Sequence, residues 1–163
     1  MENLDSAHNL ARWLVRNQQD AEDVVQESCM KAMRAFDTLR GGDFRAWFLA
    51  IVRNTSFTWL NRNRSADQTS LETEAEMPAD NQQYDPQAIA IRSADAEWVR
   101  RAIDQLPMVL REAVVLREME QLSYKEIGRI AGVPIGTVMS RLARGRRQLQ
   151  ALLTEPSDRG NKK

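Results

Sequence analysis

A row of hydrogen-bond donors follows one side of a predicted helix near the carboxyl end of this 163-residue chain. Val138, Leu142 and Leu149 recur at helical spacing and predict a buried stripe, and the donors fall on another face. Phosphates and base edges in the major groove are rich in acceptors, so such a face suits duplex DNA. Arginine-rich faces are often only solvated, but residues 135–149 contain no acid, which favours DNA binding. The donors are Thr137, Ser140, Arg141, Arg144 and Arg147.

The residues just before this helix predict the element that positions it. Ser123 and Glu126 stand three apart, as in a capping box in which each side chain bonds a free backbone N–H. Gly132 suits a left-handed helix end, and Pro134 suits the first turn of the next helix. Two short helices joined by a glycine turn, the second carrying the donors, predict a helix-turn-helix.

Charge is distributed unevenly along the chain, although the total is zero. The net charge is +1 over residues 1–64, −7 over 65–99 and +6 over 100–163. A basic C-terminal part behind an acidic connector fits a nucleic-acid partner better than the average does. The single cysteine, Cys29, excludes an internal disulfide and fits a reducing compartment. The sequence contains no apolar run long enough to predict a membrane-spanning helix, so the cytoplasm is the expected location.

Hydrophobic periodicity predicts an all-α fold of two small helical bundles. Residues 1–64 read as a three-helix unit, with helices near 8–16, 20–36 and 44–61, and Asp20 is the predicted cap of the second. Residues 65–92 lose the periodicity, are acidic and contain two prolines, so they predict a flexible linker. Residues 93–155 read as a four-helix unit that ends in the helix-turn-helix.

Two separated blocks resemble one family. DAEDVVQESCMKAMRAF at 20–36 and FRAWFLAIVRNT at 44–55 resemble region 2 of sigma-70-type transcription initiation factors. LPMVLREAVVLREMEQLSYKEIGRIAGVPIGTVMSRLARGR at 106–146 resembles region 4. The order and the acidic connector are similar to the extracytoplasmic-function (ECF) group. The resemblance implies a non-enzymatic factor that binds core RNA polymerase, reads the −10 and −35 promoter elements and promotes strand opening.

The resemblance also implies the partners and the polymerase-binding residues. The expected partners are the β′ clamp helices and β flap of core polymerase, promoter DNA, and an anti-sigma protein. No catalytic residue, metal or cofactor is implied. The clamp helices would contact a polar face of the second helix, where charge sets encounter and register. Capping alone would also explain the two aspartates of this face, which comprises Asp20, Asp23, Gln26 and Glu27.

The DNA-contacting residues are implied in the same way. In region 4, the five donors named above would contact the −35 element, although Met139 and Ala143 depart from the family pattern. In region 2, opening a duplex requires pockets for unstacked bases and polar groups for their edges. Trp47 and Phe48 fit core packing better than such a pocket. The implied −10 residues are Lys31, Leu39, Ile51, Arg53, Asn54 and Thr55.

A helix-turn-helix repressor or activator is the alternative function. Such a protein would use the same DNA-binding helix without contacting core polymerase. It has no need of the 20–55 block, which is the feature that separates the two hypotheses.

Overall fold

The computed structural model describes the backbone of residues 2–67 and 88–154, with side chains over 2–64 and 94–154. This part of the chain is helical and contains no strand, which confirms the predicted all-α class. Residues 68–87, most of the predicted linker, lie outside the described residues. The seven α-helices are α1 Glu2–Val15, α2 Gln18–Arg34, α3 Phe44–Asp67, α4 Ala88–Asp104, α5 Met108–Val114, α6 Tyr124–Ala131 and α7 Ile135–Thr154.

The first three helices form the N-terminal unit, in which each helix packs against the other two. Its centre is aliphatic: Leu10 and Leu14 of α1, Val24 of α2, and Leu49 and Val52 of α3 have no exposed surface. Burying each such side chain stabilises the fold by roughly 1.5–3 kcal/mol. The helical spacing of these buried residues is the pattern that predicted the three helices.

The start of α2 differs from the prediction. Asn17, not Asp20, is the N-cap, and its side-chain oxygen accepts a hydrogen bond of 3.0 Å from the backbone N–H of Asp20. Asp20 therefore lies in the first turn, where a negative charge favours the positive end of the helix without capping it. Asn and Asp serve equally well as caps, so residue type could not decide between the two positions.

The two ends of the predicted linker are helical. α3 continues to Asp67 and α4 begins at Ala88, so residues 65–67 and 88–92 belong to helices. The polar composition that suggested a linker is also compatible with an exposed helix end. The sequence placed these two boundaries several residues away from where the helices end and begin.

The last four helices form the C-terminal unit and confirm the helix-turn-helix prediction. Ser123 and Glu126 make both hydrogen bonds of the capping box, and Gly132 adopts the left-handed conformation at φ 67°. α7 then packs across α5. At their crossing a Cβ on Gly145 would lie only 2.9 Å from Val114 Cγ2, so the close approach needs glycine.

A π-helical turn, Val115–Met119, extends α5. The N–H of Glu120 bonds the carbonyl of Val115, five residues back, at 3.2 Å. Gln121 then adopts a positive φ of 54° and ends the segment. This turn sets the direction of Glu120, which points at the N-terminal unit.

The two units pack against each other, which the sequence did not predict. α3 contacts α6, and α1 contacts α5 and the π-helical turn. Buried residues of both units belong to one hydrophobic cluster, which includes Leu49 of α3 with Leu116 and Ile127 of the C-terminal unit. We call the boundary between the units the seam.

Candidate nucleic-acid interfaces

The recognition face of α7 is open to solvent. Ser140, Arg144 and Arg147 are exposed and Thr137 is half-buried, whereas Val138 and Leu142 on the opposite side are 1% exposed. Among the described residues no hydrogen bond or ion pair engages Arg144 or Arg147. This face therefore presents unneutralised donors from a rigidly packed helix, as a major-groove reader requires.

Two other arginines of α7 are placed differently. Arg146 pairs with Glu118 of the π-helical turn, with 2.6 Å between Nη2 and Oε1. Arg141 is half-buried; burial raises the pKa of Glu112, and the positive charge of Arg141 opposes that shift. Arg141 thus lies at the inner edge of the face, near a buried carboxylate, while Arg144 and Arg147 lie at its open side.

In the N-terminal unit, the predicted −10 residues lie around the middle of α3. Asn54 is exposed, and Ile51 and Arg53 are half-buried. Leu39 is half-buried in the connection that follows the 3₁₀ turn Phe36–Thr38. The Asn54 amide oxygen accepts a hydrogen bond of 3.4 Å from Arg53 Nη1. An exposed amide beside a guanidinium can bond base edges and phosphate.

Lys31 and Thr55 form a polar link between α2 and α3. Lys31 Nζ donates to Thr55 Oγ1 at 3.3 Å and lies 2.9 Å from Glu27 Oε1. Thr55 is only 2% exposed, so in this arrangement its side chain reaches Lys31 rather than the surface. Sequence reasoning grouped Thr55 with the contact residues, but its place in the fold is beneath them.

Aromatic side chains extend the same unit toward solvent. Phe48 is buried, as the core interpretation requires, and Trp47 is half-buried. Trp47 makes an edge-to-face contact with Phe36, whose side chain is 58% exposed, and packs against Phe44. The sequence analysis did not select Phe36 and Phe44. Their closeness to Trp47 depends on how the 3₁₀ turn and the start of α3 fold back.

The predicted polymerase-binding residues share one side of α2. Asp23 and Gln26 are exposed, and Asp20 and Glu27 are half-buried. Because Asn17 supplies the cap, capping does not explain Asp20. Glu27 is partly neutralised by Lys31 four residues on, so the free negative charge of this face lies at its N-terminal end.

Two carboxylates at the seam were missed by the sequence analysis. Glu112 of α5 is 1% exposed and bonds Arg53, and Glu120 is 8% exposed and bonds Arg45 and Asn9. Their partners lie 59 to 111 residues away, beyond any local pattern. One signal was available: around Glu112, α5 is apolar on nearly all sides, which indicates a helix covered from more than one direction.

Comparison with known proteins places these surfaces in a family. Residues 1–66 match the model of Sigma-70 region 2, and residues 96–149 match that of Sigma-70, region 4. The ECF RNA polymerase sigma factor SigE of Mycolicibacterium smegmatis is 36% identical over 154 residues, which cover 94% of this chain and 59% of the relative. The ECF RNA polymerase sigma-E factor of Salmonella typhimurium is 39% identical over 134 residues, 78% of this chain and 70% of the relative.

Solved structures of sigma factors match this chain over both units. The sigma factor RpoE from Bartonella quintana, solved in complex with the anti-sigma factor NepR, matches with a TM-score of 0.73 and 29% identity over 95% of this chain and 94% of that one. CnrH, solved with the cytosolic domain of CnrY, matches with a TM-score of 0.65 and 25% identity over 93% and 82%.

Region 2 and region 4 together define a sigma-70-type transcription initiation factor, a non-enzymatic class of proteins that bind core RNA polymerase and promoter DNA. Within that class, the chain belongs to the ECF group of RNA polymerase sigma factors. None of the helices described has the length and apolar character needed to cross a bilayer.

Proposed function

We propose that this chain directs core RNA polymerase to promoters by binding the −35 element with α7 and the −10 element with the middle of α3. The observation that carries this proposal is the presence of two separate nucleic-acid faces on two units of one chain. A repressor needs only the face on α7. The domain division that we propose is 1–64 for region 2, 65–92 for the connector and 93–155 for region 4, with helical ends to the connector.

At the −35 element, Arg144, Ser140 and Arg141 would contact base edges, and Thr137 and Arg147 would contact phosphates. Support comes from the exposure of Ser140, Arg144 and Arg147 on a helix whose opposite side is buried. One bidentate arginine–guanine pair contributes roughly 1–3 kcal/mol of discrimination. Arg141 must move away from Glu112 or reach past it to take part.

At the −10 element, Asn54 would bond the edge of an unstacked base, and Leu39 and Ile51 would line its pocket. Arg53 and Lys31 would contact the strand backbone. The burial of Thr55 supports a different role for that residue: its hydroxyl orients Lys31. The exposed edges of Phe36 and Phe44 supply further surface on which bases could stack.

Core polymerase would bind the α2 face formed by Asp20, Asp23, Gln26 and Glu27, through the β′ clamp helices, and region 4 would bind the β flap. The exposed carboxylates at the start of α2, free of a capping role, support the first contact. This face is separate from the α3 face, so both could be occupied together. The protein would act in the cytoplasm, where it meets the polymerase.

An anti-sigma protein is a further proposed partner. RpoE was solved with the anti-sigma factor NepR and CnrH with the cytosolic domain of CnrY, and both match this chain across both units. The arrangement with two packed units is therefore similar to that of a sigma factor bound to an anti-sigma factor. A protein that recognises it would hold the promoter-binding faces in their present relation.

In vitro transcription with core polymerase tests the function directly. Purified chain and core enzyme are incubated with a pool of templates whose upstream sequences are random, and transcripts are sequenced. We expect initiation that depends on the chain and a recovered pair of spaced motifs. Specific duplex binding without core association or transcripts would instead favour a repressor. A Gln26→Ala, Glu27→Ala double variant should lose core association, whereas Glu97→Ala on exposed α4 should not.

A further inference from the structure

Arg53, which the proposed function assigns to promoter DNA, is occupied by a carboxylate of region 4. Its Nε lies 2.5 Å from Glu112 Oε1, and its Nη2 lies 3.5 Å from Oε2. The guanidinium is thus engaged by both carboxylate oxygens, the geometry in which arginine also binds phosphate. Its side chain is 18% exposed, so little of it is left to meet another anion.

Glu112 is held tightly at this position. Its side chain is 1% exposed, and Arg53 supplies both hydrogen bonds that it receives within the described structure. Burial raises the pKa of Glu112, and the bonds and charge of Arg53 and the charge of Arg141 oppose that effect. A buried carboxylate with one strong partner is stable only while that partner remains.

A second ion pair crosses the seam just after the π-helical turn. Arg45 Nη2 lies 2.8 Å from Glu120 Oε2 and also bonds the Glu120 carbonyl and Ser6 Oγ, each at 3.1 Å. Asn9 donates to Glu120 Oε1 at 2.6 Å. Region 4 therefore contacts region 2 through one carboxylate before and one after the π-helical turn, with apolar packing between them, and a third, Asp104 of α4, lies 3.9 Å from Arg16 Nε.

We propose that Glu112 of α5 and Glu120, just after the π-helical turn, form a docking surface for region 2 of the same chain, on which Glu112 competes with promoter DNA for Arg53. This inference rests on the proposed function, because it takes Arg53 as a DNA contact. While its Nε and Nη2 edge is on the buried carboxylate and only 18% of its side chain is exposed, Arg53 cannot present that edge to a phosphate. The docked form therefore binds the −10 strand with low affinity. Region 4 must separate from α3 before Arg53 can bind that strand.

The test compares the unmodified chain with variants that remove the charge of the docking carboxylates and replace no residue that is proposed to contact DNA. Glu112→Gln and Glu120→Gln keep side-chain shape and remove charge on opposite sides of the π-helical turn. Glu97→Gln is the matched control, because Glu97 pairs with Arg101 within α4, exposed and away from the seam. Circular dichroism confirms that each variant retains its helices.

Two measurements report docking and DNA binding separately. Docking is followed by energy transfer between dyes on Arg40→Cys and Arg129→Cys, exposed positions on the two units, in a Cys29→Ser background. DNA binding is followed with a short fluorescein-labelled single-stranded DNA of random sequence. We expect both seam variants to lower transfer and to tighten DNA binding by roughly tenfold, since apparent affinity scales with the competent fraction. The Glu97→Gln control should change neither.

Tighter binding in both seam variants, with weaker transfer, supports the docking surface. Unchanged transfer overturns it, and weaker transfer with unchanged DNA affinity overturns the competition. Run-off transcription by the unmodified chain with core polymerase is measured in parallel. Its absence would refute the proposed function by itself, whatever the docking result, so the two failures remain distinguishable.

Discussion

On α7, Arg144 and Arg147 project from a helix whose other side is buried, and no carboxylate within the described ranges neutralises them. On α3, Arg53 is held by Glu112 of the other unit. Both faces carry the residue types that bind nucleic acid, yet only on the first are the arginines free of a carboxylate partner within the described residues. Residue type therefore indicates what a face can bind, and tertiary packing decides whether it is available.

The largest expected effect comes from making the same substitution on both faces. Arg53→Ala leaves Glu112 buried without its partner, so we expect the free energy of unfolding to fall by about 3 kcal/mol, with opening of the seam limiting the loss. Arg144→Ala removes an exposed side chain and should change stability by less than about 0.5 kcal/mol. Urea denaturation followed by circular dichroism measures both. Equal losses would show that the two faces are not differently engaged.

The next effect concerns the division of labour between the faces. Arg144→Ala should weaken binding to a duplex carrying the upstream motif by about 1–3 kcal/mol and leave strand opening on bound templates intact. Asn54→Ala should do the reverse, lowering open-complex formation with little change in duplex affinity. Electrophoretic mobility shift and permanganate footprinting measure the two quantities. Parallel losses in both assays for both variants would contradict separate roles.

Much of the fold and part of the site could be predicted from local sequence. The capping box at Ser123 and Glu126 and the left-handed Gly132 fix the helix-turn-helix, because each is satisfied within a few residues. The exposed face of α7 follows from the helical spacing of the apolar residues on its opposite side. In contrast, Glu112 finds its partner 59 residues away. Its role depends on how two units pack, and no short pattern encodes that.

A smaller effect should follow from weakening the element that holds α7. Ser123→Ala removes one hydrogen bond of the capping box and should lower the free energy of unfolding by about 1 kcal/mol. Duplex binding should weaken modestly through looser placement of α7, while single-stranded DNA binding by region 2 should not change. Thermal denaturation and the two binding assays measure this. Ser140→Ala, on the exposed face, is the control that should spare stability.

The smallest expected effect is a pH dependence at the seam. Burial alone would raise the pKa of Glu120, but hydrogen bonds from Ser6, Asn9 and Arg45 bring it below its ordinary value of 4.5. The stability contributed by a carboxyl with a lowered pKa is fully present above its unfolded value and is lost as pH falls through the folded value. Energy transfer across the seam should therefore decline below about pH 4.5.

The matched variant isolates this contribution. Glu120→Gln cannot titrate, so its seam should show a shallower decline over the same acid range than that of the unmodified chain. Glu112 is unsuitable for this test, because burial raises its pKa while the hydrogen bonds and charge of Arg53 and the charge of Arg141 oppose that shift. Identical acid profiles for the unmodified chain and Glu120→Gln would show that Glu120 does not contribute.

The π-helical turn of Val115–Met119 determines the direction in which Glu120 points relative to Glu112. Glu112 and Glu120 are eight positions apart, which in a regular helix would set them about 80° out of line. The turn absorbs one additional residue and so rotates Glu120 back into line with Glu112. Lengthening this stretch by one residue would turn Glu120 about 80° away from the seam, whereas shortening it by one would restore a regular helix with Glu120 still in line. The addition of one residue to this segment would therefore alter how readily region 4 separates from region 2.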